Sequence, residues 1–428
     1  MYDKGIVEYN SGSYGDRAAM SLGCLAKYAN DADIKREANI ALRYFSRLYA
    51  GNFVSADTSD RGMVFGGPQS RNSNIVHSKG GSDIFYRMFT GMEQSFFNRH
   101  AAWELSAEDR ALYQQKNRTL LYKCGSTPDH FVVHYVGSKV SMGSAGTPFG
   151  NDDKTHVINF FDTRPGRQAV VHISSVTEGR SDPYGGNRRH FRDYLAARAQ
   201  RLIPSGSEMV FLIAADGSDR GDTTALNHYT ILPANRHDGM WIGNTRVPDL
   251  EKNASQALAD NGTLFIRFGD VAAGIRYLAA RDINGSDVLP QIRLVNTPAP
   301  AQSISAGDAM YIHAQLSNSR PPQGSCGVIA AWWRVKEGIT TDAEFTAFRN
   351  EMINARVEFS QVGDEYTLRV TAPDGLLGIS GNKTTKQRTA SYGDNVLTLQ
   401  PGQNFTVNGT DIAPAIFAGS TYINKGAE

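Results

Sequence analysis

The sequence predicts an α+β multidomain protein, in which an N-terminal helical layer precedes a large antiparallel β-sandwich. Apolar residues recur at spacings of three and four up to about residue 118. From about residue 119 they alternate with a period of two, and Gly, Pro, Asn and Asp separate many short segments of this kind. We therefore assign residues 1–118 to a helical domain and residues 119–428 to the sandwich.

Two helices joined by a short turn open the helical domain. The first is predicted over residues 16–30, and the second follows a turn at residues 30–33 that contains a capping aspartate. Gly51 and Asn52 end the second helix, so the pair forms an αα-hairpin. The sequence after this hairpin predicts a Gly-, Ser- and Asn-rich loop over 51–82, a helix over 83–100, and a helix over 106–117 that a near capping box opens.

The sandwich is predicted from segments whose apolar residues alternate with polar ones. Two stretches inside it, 188–201 and 342–353, instead have helical spacing. The predicted strands are 130–136, 155–161, 169–174, 209–214, 264–268, 274–279, 292–295, 309–314, 328–334, 357–361, 366–370 and 395–399.

Composition narrows the class of function. Lys and Arg number 44 and Asp and Glu 43, so the chain has no field that favours nucleic acid. No apolar run approaches the roughly 18–20 residues that span a bilayer, and no leader peptide is visible at the N-terminus. The three cysteines lie far apart and form no Cys-x-x-Cys motif, which argues against a zinc knuckle or a disulfide framework.

Polar residues at the turns of the helical layer are the candidate site. Asn10 and Tyr14 lie four residues apart at a helix entrance, where an amide can bind a sugar carboxylate and a phenol can move a proton. Arg71 follows a Gly-Gly-Pro turn and can hold a carboxylate through two hydrogen bonds. His77 and Tyr86 flank a loop-to-helix junction and can serve as acid or base. Capping, packing or a solvated loop would explain each of these residues without function.

Histidines in the predicted strands raise a second possibility. His130, His134 and His156 could bind zinc, but no carboxylate stands at ligand spacing and no HExxH motif is present, so no metal site is predicted. Of the adjacent Trp332 and Trp333, one ring is expected in the core, and interface packing is favoured over sugar stacking for the other.

The N-terminal motifs resemble those of polysaccharide lyases with an (α/α)-toroid and a β-sandwich, the alginate, glucuronan and heparinase-type group. The similar segments are Glu8-Tyr9-Asn10-Ser11-Gly12-Ser13-Tyr14 before the hairpin, Phe65-Gly66-Gly67-Pro68-Gln69-Ser70-Arg71 after it, and residues 128–133 and 154–162 at the start of the sandwich. Gly12 stands where proline is common in that group, and Gln69-Ser70 where a histidine is often found. About four helices cannot close such a toroid, so the chain would contain only its C-terminal half.

The resemblance implies a lyase that cleaves a uronic-acid polysaccharide by β-elimination. Asn10 and Arg71 would bind and neutralise the substrate carboxylate, while Tyr14, His77 and Tyr86 would be the catalytic acid and base. It implies no cofactor, a secreted or periplasmic location, and an oligomer or partner that supplies the missing helices, without which the chain alone is expected to be weakly active. A non-catalytic carbohydrate-binding or structural protein and a glycoside hydrolase are the alternatives.

Overall fold

The computed structural model of this chain is mostly β, with large antiparallel sheets and few helices. The structure describes residues 14–54, 64–65, 104–125, 130–145, 156–161, 170–178, 195–216, 225–233, 237–258, 262–297, 309–322, 324–385 and 388–422.

Five helices occur in this part of the chain, too few for an (α/α)-toroid. The predicted hairpin and the predicted capping box are confirmed, whereas the helix expected over 83–100 lies outside the described residues. The helices are α1 (Tyr14–Tyr28), α2 (Ala32–Asn52), α3 (Ala107–Gln114), α4 (Asp342–Ile353) and α5 (Ala413–Ile416), with a 3-10 turn at Leu289–Gln291.

Both ends of α2 are held by polar side chains. At its start Asp31 accepts hydrogen bonds from the backbone N–H groups of Asp33 at 2.7 Å and Ile34 at 3.1 Å. At its end the buried guanidinium of Arg118 donates to the carbonyl oxygens of Gly51 at 2.9 Å and Phe53 at 2.6 Å. A cation at a helix C-terminus offsets the negative end of the helix dipole, so Arg118 ties α2 to the sheet below it.

The described strands form four antiparallel sheets. The largest has eleven strands in the order β13-β16-β17-β10-β7-β6-β5-β4-β3-β23-β24, the second has seven in the order β12-β11-β14-β15-β18-β9-β8, and the third has the order β19-β20-β21-β22. β1 and β2 pair separately. The strands are β1 (Phe53–Val54), β2 (Val64–Phe65), β3 (Arg118–Lys123), β4 (Phe131–Val136), β5 (Val140–Ala145), β6 (Val157–Phe161), β7 (Val170–Glu178), β8 (Leu195–Ile203), β9 (Gly206–Asp216), β10 (Leu226–Pro233), β11 (Gly239–Ile242), β12 (Thr245–Arg246), β13 (Ser255–Ala257), β14 (Thr263–Phe268), β15 (Val271–Arg281), β16 (Arg293–Val295), β17 (Ala309–Ser317), β18 (Cys326–Glu337), β19 (Arg356–Val362), β20 (Glu365–Ala372), β21 (Gly375–Asn382), β22 (Arg388–Gly393), β23 (Phe405–Val407) and β24 (Thr410–Asp411).

The main core lies between the eleven-stranded and seven-stranded sheets. Alternate residues of the large sheet, such as Ile158, Phe160 and Ile173, meet Phe211 and Trp333 of the smaller one. We call this the inner face of the large sheet, and the opposite side its outer face. The position of each side chain on one face or the other follows from the two-residue period of a strand.

Each outer side of the sandwich carries a further layer. On the large sheet, Tyr44 and Leu48 of α2 pack against Leu120 and Val132, so the helix covers β3–β6. On the seven-stranded sheet, α4 and the β19–β22 sheet enclose a second apolar cluster. The outer face at β7, β10 and β17 lies beyond the residues of this cluster. The polar side chains described below extend from β4, beneath α2, across to β17.

Two predicted elements are wrong. Residues 188–201 were expected to be helical, but 195–203 form β8, in which Ala197 and Ala199 are buried beneath the β19–β22 sheet. Burial against this layer favours strand pairing over the helical spacing of its alanines. Residues 395–399 form no strand of their own and touch β8 through one bridge, between Val396 and Arg201. Trp332 and Trp333 are both fully buried on opposite sides of β18, which confirms interface packing.

Candidate functional site

The sequence-predicted site falls almost wholly outside the described residues. This holds for Asn10, Arg71, His77 and Tyr86. Tyr14 is the first residue of α1, and its side chain lies outside the described part as well. The proposed juxtaposition of these five groups therefore stays a prediction.

A row of polar side chains crosses four neighbouring strands of the large sheet on its outer face. They alternate along their strands with inward apolar residues such as Met142, Ile158 and Ile173. We call this row the polar strip, and its members are His134 on β4, Ser141 on β5, Asn159 on β6, and His172 and Ser174 on β7.

Hydrogen bonds join three members of the strip into a chain. Asn159 donates from Nδ2 to Ser141 Oγ at 2.9 Å, and its Oδ1 lies 2.6 Å from His172 Nδ1. Because the amide nitrogen is used by Ser141, the amide oxygen faces His172 and accepts from Nδ1–H. His172 is therefore held in the tautomer whose Nε2 carries a lone pair.

The imidazole of His172 is unprotonated at neutral pH, as a general base must be. Burial lowers the pKa of its imidazole to about 4, so the ring is neutral at pH 7. The residue is half-buried, and within the described part of the chain Nε2 makes no hydrogen bond. An oriented neutral imidazole with a free nitrogen can accept a proton from a bound substrate.

A second histidine–asparagine pair lies on the same face, on β17 and β10. His313 Nε2 lies 2.8 Å from Asn227 Oδ1, which it can reach as a donor. The His313 ring stacks on Tyr229 with centroids 4.7 Å apart and planes inclined by 13°, and Tyr311 packs on both. Burial lowers the pKa of His313 to about 4. This pair therefore holds a half-buried neutral imidazole against two buried aromatic rings.

The two pairs cannot act on one bond. His313 pairs through Tyr229 with Val176, which places it two strands across and four residues along from His172. Strand geometry then separates the two histidine Cα atoms by about 16 Å. The spacing suits two separate positions along an extended polymer, with further sugar residues between them.

Two further members of the strip are buried without protein partners. Both ring nitrogens of His134 and the hydroxyl of Ser174 make no hydrogen bond with any described residue. Burial and the nearby Arg118 hold the pKa of His134 well below its usual range, so its ring is neutral. Buried polar atoms of this kind are uncommon, and a bound group or water is one explanation for them.

The histidines considered for zinc do not converge. His134 lies on the outer face beneath α2, whereas the ring of His156 lies on the inner face, 4.3 Å from Phe211. They are on opposite sides of one sheet and cannot share an ion. No group of three potential ligands exists among the described residues.

Paired carboxylates, which a glycoside hydrolase would need, occur in a different place. Glu351 and Asp374 both reach Nη2 of Arg334, at 3.0 and 2.6 Å. Arg334 also lies 3.6 Å from the buried Glu208, which Arg201 pairs at 2.6 Å. This network joins the seven-stranded sheet to its covering layer and is a structural ion-pair cluster.

Sequence reasoning overlooked the strip apart from His134. A signal was present, because Asn159 and His172 stand among apolar residues inside two predicted strands. A polar residue among apolar neighbours in a strand indicates either a buried side chain whose hydrogen bonds are made within the core or a residue of a functional site. Choosing between them required the cross-strand register that brings the two together.

Comparisons with known proteins give no family assignment. No protein-family model matches the chain, and no curated protein sequence matches it. Among the described helices, none is both long and apolar enough to cross a membrane.

Proposed function

We propose that the outer face of the eleven-stranded sheet binds an acidic polysaccharide and cleaves it by β-elimination. The observation that carries the proposal is the Ser141–Asn159–His172 chain, which holds a neutral imidazole with its Nε2 unused. Such a base, held by neighbours on rigid strands, is what proton abstraction requires.

His172 Nε2 takes the proton from C5 of a uronate residue. The C5–H electron pair forms the C4–C5 double bond, and the C4–O4 bond breaks with its electrons on O4. A second group must then protonate O4, and Tyr14, His77 and Tyr86 remain the candidates from the helical domain. Asn10 and Arg71 are proposed to neutralise the carboxylate and stabilise the enolate-like intermediate. In this proposal the helical domain is a partial toroid-like layer that faces the strip.

The His313–Asn227 pair is assigned to a sugar farther along the same polymer. The half-buried imidazole offers a hydrogen bond to the hydroxyl groups of that sugar, and the buried rings of Tyr229 and Tyr311 hold the imidazole in place. Loss of this pair should raise KM more than it lowers kcat, because it touches no reacting atom.

The test is an ultraviolet elimination assay on a set of uronate polymers. Elimination leaves a double bond conjugated to the carboxylate, which absorbs in the ultraviolet, whereas hydrolysis gives reducing ends alone. His172→Gln should lower kcat roughly 100-fold or more, as expected for loss of a general base. His237→Gln, a half-buried histidine outside the strip, is the matched control and should retain full activity.

Other outcomes separate the alternatives. Binding of the polymer without absorbance favours a carbohydrate-binding protein. Reducing ends without absorbance favour a glycoside hydrolase. Full elimination by a correctly folded His172→Gln variant would exclude the proposed base.

The proposal includes self-association through the α1–α2 hairpin and a secreted or periplasmic location. Met20, Leu25, Tyr28 and Ile34 expose 40, 45, 59 and 46% of their surface there. Phe45 of the same hairpin is buried and does not belong to this exposed face. Covering this apolar face with the helices of a second copy or a partner would supply further walls to the cleft. Light scattering after size exclusion tests it, since a strict monomer excludes a second copy.

A further inference from the structure

We infer a second, non-catalytic site that binds an oxyanion on the opposite side of the sandwich, between the β11–β12 hairpin and α4. Its centre is Trp241, whose ring lies within 5.7 Å of two guanidinium groups, those of Arg246 and Arg349. A third, Arg267, stacks 5.7 Å from Phe345, which in turn packs edge-on against Trp241 at 4.6 Å. We call these five residues the arginine–aromatic cluster.

The backbone arrangement makes this cluster rigid. Trp241 pairs with Arg246 across β11 and β12, so both side chains point to the same outer side of the seven-stranded sheet. Gly239 lies under the tryptophan ring, where an added Cβ would come within 2.5 Å of it. Arg349 and Phe345 lie one turn apart on α4 and complete the surface.

Positive charge in the cluster is incompletely balanced by the protein. Arg267 pairs with Asp342, but neither Arg246 nor Arg349 contacts a carboxylate in the described part of the chain. Arg349 is only 8% exposed, its Nε has no partner, and its Nη atoms reach only the Gly243 carbonyl oxygen at 3.4 Å and the Thr346 hydroxyl at 3.2 Å. A buried guanidinium without a counter-charge is costly, and an external anion would supply that charge.

The geometry favours a carboxylate or sulfate group carried by a glycan. Planar guanidinium groups bind oxyanions through paired N–H donors, and the part-exposed Trp241 ring can contact a sugar. The near-neutral chain has no wide positive field of the kind that nucleic acids need. The choice of a glycan rests on the proposed function, whereas the oxyanion site does not. Such a site would hold polymer at a distance from the polar strip and raise its local concentration.

The experiment measures binding by the full chain to polygalacturonate, dextran sulfate, neutral dextran, inorganic sulfate and a DNA duplex. Arg246→Gln is the main variant, because this exposed side chain makes no hydrogen bond or ion pair with a described residue and its loss should leave the fold unchanged. Arg281→Gln is the matched control, since Arg281 also stacks on a ring, that of Phe359 at 5.1 Å, but outside the cluster.

We expect Arg246→Gln to weaken binding of the acidic polymers about fivefold or more and to reduce its salt dependence, while Arg281→Gln binds as the unmodified chain does. Arg349→Lys keeps the charge and loses the paired donors, so it should weaken binding as well. If Arg246→Gln binds more weakly but no variant shows elimination activity, the result supports the oxyanion site and rejects the proposed lyase activity. The inference would be overturned by equal losses of binding in both glutamine variants, by tighter binding of DNA than of the acidic polymers, or by unchanged binding in Arg246→Gln. Binding of inorganic sulfate but of no polymer would overturn the assignment of a glycan as the ligand.

Discussion

Each face of the eleven-stranded sheet carries a pair of buried or half-buried histidines in different surroundings, in addition to His134 on the outer face beneath α2. On the inner face, His156 and His228 lie against Phe211, at 4.3 and 6.0 Å between ring centres, and each has a nitrogen with no partner among the described residues. On the outer face, His172 and His313 each bind an asparagine oxygen. All four rings have a pKa well below the ordinary value because of burial.

The difference lies in what sets the orientation of each ring. Ring packing on Phe211 places the inner histidines, with one long contact of 3.4 Å between His228 Nδ1 and Thr177 Oγ1, so they serve the sandwich core. Hydrogen bonds across neighbouring strands place the outer ones, and these bonds select the tautomer and the nitrogen left for a ligand. A low pKa alone therefore does not identify a site, whereas a low pKa together with an orienting amide does.

Removing the shared inner ring should have the largest effect. Phe211→Ala leaves a cavity beside His156, His228 and Trp333 and should cost roughly 3–5 kcal/mol of unfolding free energy. His172→Gln on the outer face should cost about 1 kcal/mol, since one hydrogen bond is lost. Chemical denaturation of the two variants measures both. Similar losses would contradict the division between a core face and a site face.

Acid should destabilise the protein through its buried histidines, of which the inner pair contributes one part. His156 and His228 have pKa values of about 3 when folded and 6.5 when unfolded, so the unfolded chain binds more protons below pH 6.5. Their contribution is complete above pH 6.5 and is lost as the pH falls toward 3, at up to about 3 kcal/mol per pH unit for both.

Denaturation at pH 7.5, 6.5 and 5.5 measures this slope. The double variant His156→Phe, His228→Phe should lose that part of the pH dependence, while a His237→Gln variant should keep it. If the unfolding free energy of the double variant depends on pH as that of the unmodified chain does, His156 and His228 do not contribute to the acid sensitivity.

A carboxylate placed beside His172 should change the pKa of that histidine, which is a smaller effect than the losses of stability above. Asn159→Asp puts a carboxylate beside His172 Nδ1 and favours the imidazolium, so the pKa of His172 should rise from about 4 by roughly 1–2 units. Titration of the imidazole signals by NMR measures it. A rise in the pKa of His228 of equal size would contradict the local origin of the effect.

The smallest effect is expected at the end of the hydrogen-bonded chain. Ser141→Ala removes the acceptor that fixes the Asn159 amide and should cost about 1 kcal/mol of stability. Elimination activity should fall less than in His172→Gln, because Asn159 can still accept from His172. Ser360→Ala, on the exposed strand β19, is a matched control expected to change neither quantity.

The sequence was sufficient to predict those helices and strands whose structure depends mainly on their own residues. The hairpin of α1 and α2, the capping box at Ser106 and Asp109, and α4 follow from periodicity and caps. Strands such as β4, a nearly continuous apolar run, and β20, which alternates, were likewise predictable. The 195–203 strand was not, because its alanines and arginines acquire a strand preference only when layers cover both sides.

Sequence by itself determined that the chain would be a short helical region followed by many antiparallel strands. The spacing of apolar residues, with a period of 3.6 in helices and 2 in strands, depends only on residues that are close together in the sequence. It also supplied the candidate residues of the helical domain, whose placement stays a prediction. Only the tertiary structure decided which polar residues meet. Asn159 and His172 are 13 positions apart and Asn227 and His313 are 86 apart, and each pair forms because strand register, set by burial of the opposite face, aligns them.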